Sequence, residues 1–358
     1  MKVSNILSKK ELKREDLEIL LSASSGDDVA AIFNAAEAIR EEKVGKKIYL
    51  RGLIEYSNHC VKNCYYCGIR AGNKEVYRYR MQEDEVIGCA ETALKNNYGS
   101  VVIQSGEETG RDFVNAIDRF VQEIKKLSNG KLGITLSCGE QSAETYRRWF
   151  ESGAHRYLLR IETSDPVLYS RIHPQNRKHD FSARMEALNR LKNAGYQLGS
   201  GIMIGLPGQT ISQLAADLLF LKHLDVDMVG MGPYIEHEDT PLFAQKDQLL
   251  AKDERLELAL RMIAVLRLLM PDINMASSTA LDSLSPLGRL RAIKAGANVL
   301  MPNLTPVKYR ENYFLYNDKP YLTEAGDLIK RIQESELLKN YQIRFNEWGD
   351  SLHFKNRV

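Results

Sequence analysis

From residue 47 to residue 301 the chain alternates short apolar runs with longer segments of helical periodicity, and few folds accommodate that alternation. Eight runs read as strands: 47–56, 99–104, 132–137, 155–161, 197–204, 226–231, 273–277 and 297–301. Segments 82–97, 111–128, 141–152, 179–194, 209–223, 253–269 and 284–295 place apolar residues at the spacing of a helix packed on one side. Strand, helix and strand in succession build a parallel sheet. Eight such units predict an α/β fold, a complete (β/α)8 TIM-type barrel. A doubly wound sheet would place a phosphate-binding G-x-G-x-x-G after its first strand. A cysteine-bearing loop stands there instead.

The flanks read differently. Residues 1–46 form an N-terminal helical collar, with two amphipathic helices over 9–44 and the SSGDD stretch supplying cap residues. Residues 302–358 form an extension that closes the barrel, with one helix over 323–336 and an irregular end containing Trp348. Hydrophobic residues are 44% and charged residues 27% of the 358, the balance of a globular protein in water. A net charge of +2 demands neither a nucleic acid nor an anionic membrane as partner. The first residues lack the apolar stretch of a signal peptide, and no run approaches the roughly 18 apolar residues of a membrane span. Five cysteines, three of them clustered, point to a reducing cytoplasm rather than to a disulfide framework.

In a barrel of this kind the active groups sit at the C-terminal ends of the strands. The loop after the first strand reads SNHCVKNCYYCGIR, with Cys60, Cys64 and Cys67 in a C-x3-C-x2-C array. Three thiolates fill three corners of a [4Fe–4S] cube and leave one iron open to a ligand from outside the protein. The alternative is a structural zinc site completed by His59 or another residue, but such sites usually pair two close Cys/His couples.

Other strand ends carry polar groups. The second ends in Gln104, Ser105 and Gly106, a small-residue turn with backbone groups to offer. The third ends in Ser137, placed to hydrogen-bond a ligand, with Glu140 placed to cap the next helix. Cys138 and Cys89 read as small buried apolar groups. Arg160 and Glu162 alternate with apolar residues and so share a strand face. A glutamate there can accept both hydroxyls of a ribose, and the arginine can pair with it or with an anion. Arg184 can clamp a carboxylate, or can be an exposed helix arginine. Gly201 and Gly205 in GIMIGLPGQT allow close backbone approach. Ser278 and Thr279 follow the seventh strand, and Tyr309 and Tyr313 follow the eighth. Histidines 59, 155, 173, 179 and 237 share no ligand spacing.

The cysteine array, with Tyr66 before its third member, resembles that of the radical S-adenosylmethionine (SAM) enzymes. RGLIEYSNHCVKNCYYCGIR, YRYRM, VIQSGEE, TLSCGE, RYLLRIET, GIMIGLPGQT, DMVGMGP and GANVLM together resemble the HydE-type maturases of [FeFe]-hydrogenase over nearly all of residues 45–310. The resemblance implies one cluster on Cys60, Cys64 and Cys67, and SAM contacted by Tyr66, Gln104, Ser105, Ser137, Glu162, Arg184 and Gly205. It implies a cavity lined by Arg160, Ser278, Thr279 and Tyr309. The expected reaction is reductive cleavage of SAM to a 5′-deoxyadenosyl radical during H-cluster assembly. A small or organometallic substrate, a low-potential electron donor and other maturases are the implied partners. Many members carry a second cysteine cluster, for which YRENYFLYNDKPYL has no cysteine. A radical SAM mutase of an amino acid, such as methylornithine synthase, is the rival within the same fold.

Overall fold

A computed structural model describes residues 2–320 and 325–357. Its strands are β1 (Lys47–Ser57), β2 (Ser100–Ser105), β3 (Gly133–Ser137), β4 (Arg156–Leu158), β5 (Gln197–Ser200), β6 (Met203–Ile204), β7 (Met228–Val229), β8 (Gly232–Pro233), β9 (Asn274–Met275), β10 (Val299–Leu300) and β11 (Gln342–Arg344). Eight of them pair in parallel in the order β10-β1-β2-β3-β4-β5-β7-β9, a sheet curled on itself with helices outside. Its two ends approach each other. Ala276 bridges Val299, the Asn298 N–H donates to the Met275 carbonyl, and the Ser277 N–H donates to the Val299 carbonyl. Alternation along β1 turns Arg51 and Glu55 into the curl and Tyr56 outward, where its ring packs on Phe113 and Phe120 of the helix Arg111–Leu127.

Three strand expectations need correction. The run 197–204 divides into β5 and β6, and 226–231 keeps only Met228–Val229 in the main sheet, while β6 and β8 pair separately. Where the strands divide, the Arg160 guanidinium donates to the carbonyls of Ile202 and Gly230, and the Ile202 carbonyl also accepts from the Gly232 N–H. Gly201 permits the close approach of the two segments, because a Cβ there would lie 2.0 Å from the Gly230 oxygen. The run 155–161 keeps only Arg156–Leu158, since Ile161 N–H donates to the Ser200 hydroxyl and Glu162 adopts a left-handed φ of 67°.

The helices follow the periodicity, with three departures. A short helix, Val3–Leu7, precedes the expected pair Arg14–Ser22 and Gly26–Lys43. Ser25 caps the last of these by accepting from the Asp28 N–H. The segment 284–295 is two helices, Ala280–Leu284 and Gly288–Ala295, broken around Pro286. The tail helix is described over Ala325–Gln333; the start expected for it, at 323, lies outside the described residues. Among the described residues no helix is long and apolar enough to cross a membrane.

The end expected to be irregular contains β11, which pairs in parallel with β1, and the helix Leu352–Arg357. Between them Trp348–Ser351 lies across the N-terminal ends of the strands. The Gly349 carbonyl accepts from Arg51 and Asn274, and the Trp348 carbonyl from Ser100 and Arg156. Asp350 pairs with Arg156 at 2.8 Å. Arg156 is fully buried, and burial lowers its pKa to about 10. Hydrogen bonding to His155 and the Arg156 charge outweigh burial and hold the Asp350 carboxyl well below its usual range.

Removing the carboxylate strands a buried guanidinium. Asp350→Ala is expected to cost about 3–5 kcal/mol, read as a lower midpoint in thermal unfolding. The depressed carboxyl places this contribution above the ordinary carboxylate pKa, so it fades as pH falls through and below that range. The variant and the parent should therefore converge in acid.

Candidate active site

The cysteine loop leaves β1 at the C-terminal rim and has no regular structure of its own. Arg78 holds it. One guanidinium donates to the carbonyls of Asn58, Ile69, Arg70 and Asn73 at 2.6–3.0 Å. Asn58 adds bonds to the Tyr77 and Asn312 carbonyls and accepts from the Tyr79 N–H. The YRYRM stretch is thus a strap across the loop. Arg78→Ala breaks four charge-assisted bonds, each worth about 1.5–3 kcal/mol gross. The expected result is a loop that loses bound iron on gel filtration while the midpoint of global unfolding falls much less.

Cys64 is buried, and Cys60 and Cys67 are partly exposed. Burial pushes the Cys64 thiol up to about 12, and burial together with the other two sulfurs pushes Cys67 well above the ordinary range. Burial also raises Cys60, although the Glu107 N–H donates to its sulfur at 3.3 Å. Thiols raised in this way are poor free thiolates, and a cationic inorganic centre is what would stabilise them deprotonated. Among the described residues no three His, Cys, Asp or Glu side chains are grouped to hold a single metal ion. Gly106 admits the loop, since a Cβ there would lie 2.1 Å from the His59 oxygen.

Beside the triad stands a buried quartet of charges. Lys62 pairs with Glu107 at 3.1 Å and with Glu140 at 2.9 Å. Arg184 pairs with Glu140 at 2.6 Å and faces Glu107 at 3.7 Å. Burial, with Glu140 adding to it, pushes the Glu107 carboxyl up against the pull of Arg184 and Lys62. Arg184 comes from the first turn of the helix Phe181–Asn193 and is not an exposed helix arginine. Glu140 does not cap the next helix; Ser142 does, accepting from the Thr145 N–H. Sequence reading missed Lys62 and Glu107, whose charges in a polar loop and turn look like solvated ones.

The turn after β2 spends part of its backbone on the loop: Gly106 N–H donates to the Ser57 carbonyl, and the Glu107 carbonyl accepts from Val61. Gln104 lies in register beside Ser137 and faces the fully buried Tyr313 hydroxyl, while Ser105 bonds the Gly106 carbonyl. Tyr66 turns its hydroxyl toward His173 at 3.4 Å and packs with Met203 and Leu206. Gly205, at a φ of 79°, starts a turn held by Gln209, whose side chain accepts from the Gly205 N–H and donates to the Met203 carbonyl. Gln209 is another group that the sequence did not single out.

Deeper in the curl Arg160 grips Glu162 through two bonds of 2.8 Å. The Ser278 hydroxyl is buried without a hydrogen-bond partner. Thr279 lines a small cavity of about 30 Å³ with Asn303, Arg289 and Lys319. Lys319 reaches Glu55 at 2.5 Å and ties the segment after β10 to β1. Tyr309 is corrected. Its hydroxyl donates to Glu85 at 2.6 Å, its ring stacks on Tyr79, and so it is committed to the helix Glu83–Lys95 rather than to the cavity. Cys138 and Cys89 are buried bystanders bonded to backbone carbonyls.

Three comparisons bear on this arrangement. The sequence model of the Radical SAM superfamily matches residues 54–221. The "[FeFe] hydrogenase maturase subunit HydE" of Thermotoga maritima is 44% identical over 313 residues, 87% of this chain and 86% of that protein. The 3-methylornithine synthase of Methanosarcina acetivorans is 27% identical over 308 residues, 85% of this chain and 83% of that one. The crystal structure of a methylornithine synthase (PylB) superposes with a TM-score of 0.78 at 24% identity, covering 97% of this chain and 98% of that chain, and shares the fold.

Proposed function

Because the chain belongs to the HydE family of radical SAM proteins, we propose that it is a radical SAM enzyme of [FeFe]-hydrogenase H-cluster assembly. A [4Fe–4S] cluster on Cys60, Cys64 and Cys67 would supply one electron to SAM, which releases methionine and a 5′-deoxyadenosyl radical. The chain's own residues bind, orient and exclude water. The observation that carries the reading is a loop strapped by Arg78 on which Cys64 has the Cys60 sulfur, and Cys67 both other sulfurs, as electrostatic neighbours, with Arg184 beside Cys64.

The remaining roles divide by position. Arg184, with Ser137 near it, takes the methionine end of SAM, and the Gly106 turn closes over the loop. Glu162 takes the ribose hydroxyls, held in place by Arg160. Tyr66, Gln104, Ser105 and the backbone at Gly205 complete the SAM pocket. Arg160, Ser278 and Thr279 face the substrate, and the orphaned Ser278 hydroxyl supports that placement. We read the curled sheet as a complete (β/α)8 barrel, a reading supported by the bridge between Ala276 and Val299. Five free cysteines suit a reducing cytoplasm. The proposed partners are a low-potential electron donor and the other maturases that hand over and receive the organometallic cargo.

The test is hydrogenase activation. Anaerobic extracts lacking this protein should leave [FeFe]-hydrogenase inactive, and adding it back should restore activity. Failure to restore, with methylornithine formed from lysine instead, would move the chain to the mutase reading.

A further inference from the structure

Tyr169 is 2% exposed, yet its hydroxyl proton meets no acceptor; the polar group facing its oxygen is the Arg184 guanidinium, itself a donor. The ring cannot swing to find one. His173 stacks on it at 4.0 Å between centroids, Phe181 meets it edge-on at 5.1 Å, and His173 is itself bonded to the Tyr169 carbonyl at 2.9 Å. The hydroxyl is held toward the charged corner of the site, where Arg184, Glu140 and Cys64 are its electrostatic neighbours. Burial pushes the phenol up to about 12, so it carries its proton and is a donor. A fixed, dry O–H with no acceptor costs stability in the protein alone. Its cost is recovered when an acceptor arrives between Arg184 and the thiols.

We propose that the Tyr169 hydroxyl donates a hydrogen bond to the methionine carboxylate of SAM and is a positioning residue for that group. The inference rests on the radical SAM reading above. It assigns to the helix Pro166–Ile172 a role that no motif in the chain suggested. The arrangement divides the carboxylate's recognition between a charge, Arg184, and a neutral donor held at a fixed angle.

Tyr169→Phe in the reconstituted protein tests it. SAM affinity is read from the change SAM makes in the electron paramagnetic resonance (EPR) spectrum of the reduced cluster, alongside the thermal midpoint and the reduction potential without SAM. The expected result is a roughly tenfold weaker SAM Kd with a midpoint unchanged or raised, because an unpaired buried hydroxyl has been removed. S-adenosylhomocysteine, which keeps the carboxylate, should weaken by the same factor. A Kd within twofold of the parent overturns the proposal. A lowered midpoint or a misfolded variant also overturns it, since the hydroxyl would then be structural. So does a shifted SAM-free potential with unchanged Kd, which would place the donor on a cluster sulfur. A parent protein whose spectrum ignores SAM contradicts the radical SAM reading instead.

Discussion

Cys64→Ala should abolish SAM cleavage and leave a protein that retains almost no iron after reconstitution. Cys64 is the middle ligand of the proposed set and is buried. The alanine leaves Cys60 and Cys67 to hold a cube that already has one corner outside the protein. Two thiolates do not replace three. Cys138→Ala is the control. Its sulfur is fully buried and faces the Ile103 carbonyl, outside the triad. That variant should keep its iron and its cleavage rate, at a stability cost of about 1–2 kcal/mol for the lost sulfur contacts. Retained turnover in Cys64→Ala, or lost iron in Cys138→Ala, would mean that the ligands are misassigned.

Arg184→Met should be almost as damaging, for a different reason. The guanidinium is the partner of Glu140 and faces Glu107, both largely shielded from water. Without it two carboxylates share one lysine. The loss of one member of a buried ion cluster is expected to cost about 3–5 kcal/mol. Glu107 already has its carboxyl raised, with Arg184 opposing the shift, and would be pushed up further. A carboxyl raised above its unfolded value makes the folded protein bind the proton more readily. Its penalty therefore grows with pH, and the variant should be relatively more stable in mild acid than at neutrality. Arg184→Met combined with Glu140→Gln should recover most of the stability, because charge balance returns. It should not recover SAM binding, because the clamp is still missing. Equal recovery of stability and SAM affinity would reduce Arg184 to a purely structural ion.

Much of this was readable before any coordinates. The apolar runs that became β1 to β5 are long or β-branched enough to be recognised, and the cysteine spacing announced its chemistry. The shortened strands were not legible, because a glycine inside an apolar run does not reveal where the ladder divides or that the Arg160 guanidinium will reach the Ile202 and Gly230 carbonyls there. Lys62 and Glu107 were invisible for another reason: only the folded loop buries them against each other. Tyr169 lies in a stretch given no element by the sequence reading, and Gln209 at the start of a segment that read as ordinary helix. Tyr309 was misplaced because hydroxyl-rich sequence beyond the last strand does not say which way each ring turns. The Trp348–Ser351 segment makes contacts with residues 154 to 298 positions away in the chain, a relation that local pattern cannot carry.

The central claim is an iron left open by three protein thiolates and taken by SAM. Anaerobic reconstitution followed by EPR of the reduced protein with and without SAM tests it most directly. Expected are about four irons per chain, a spectrum that changes when SAM is added, and methionine and 5′-deoxyadenosine released with reductant. A spectrum indifferent to SAM, or one zinc held by the same three cysteines, would contradict it.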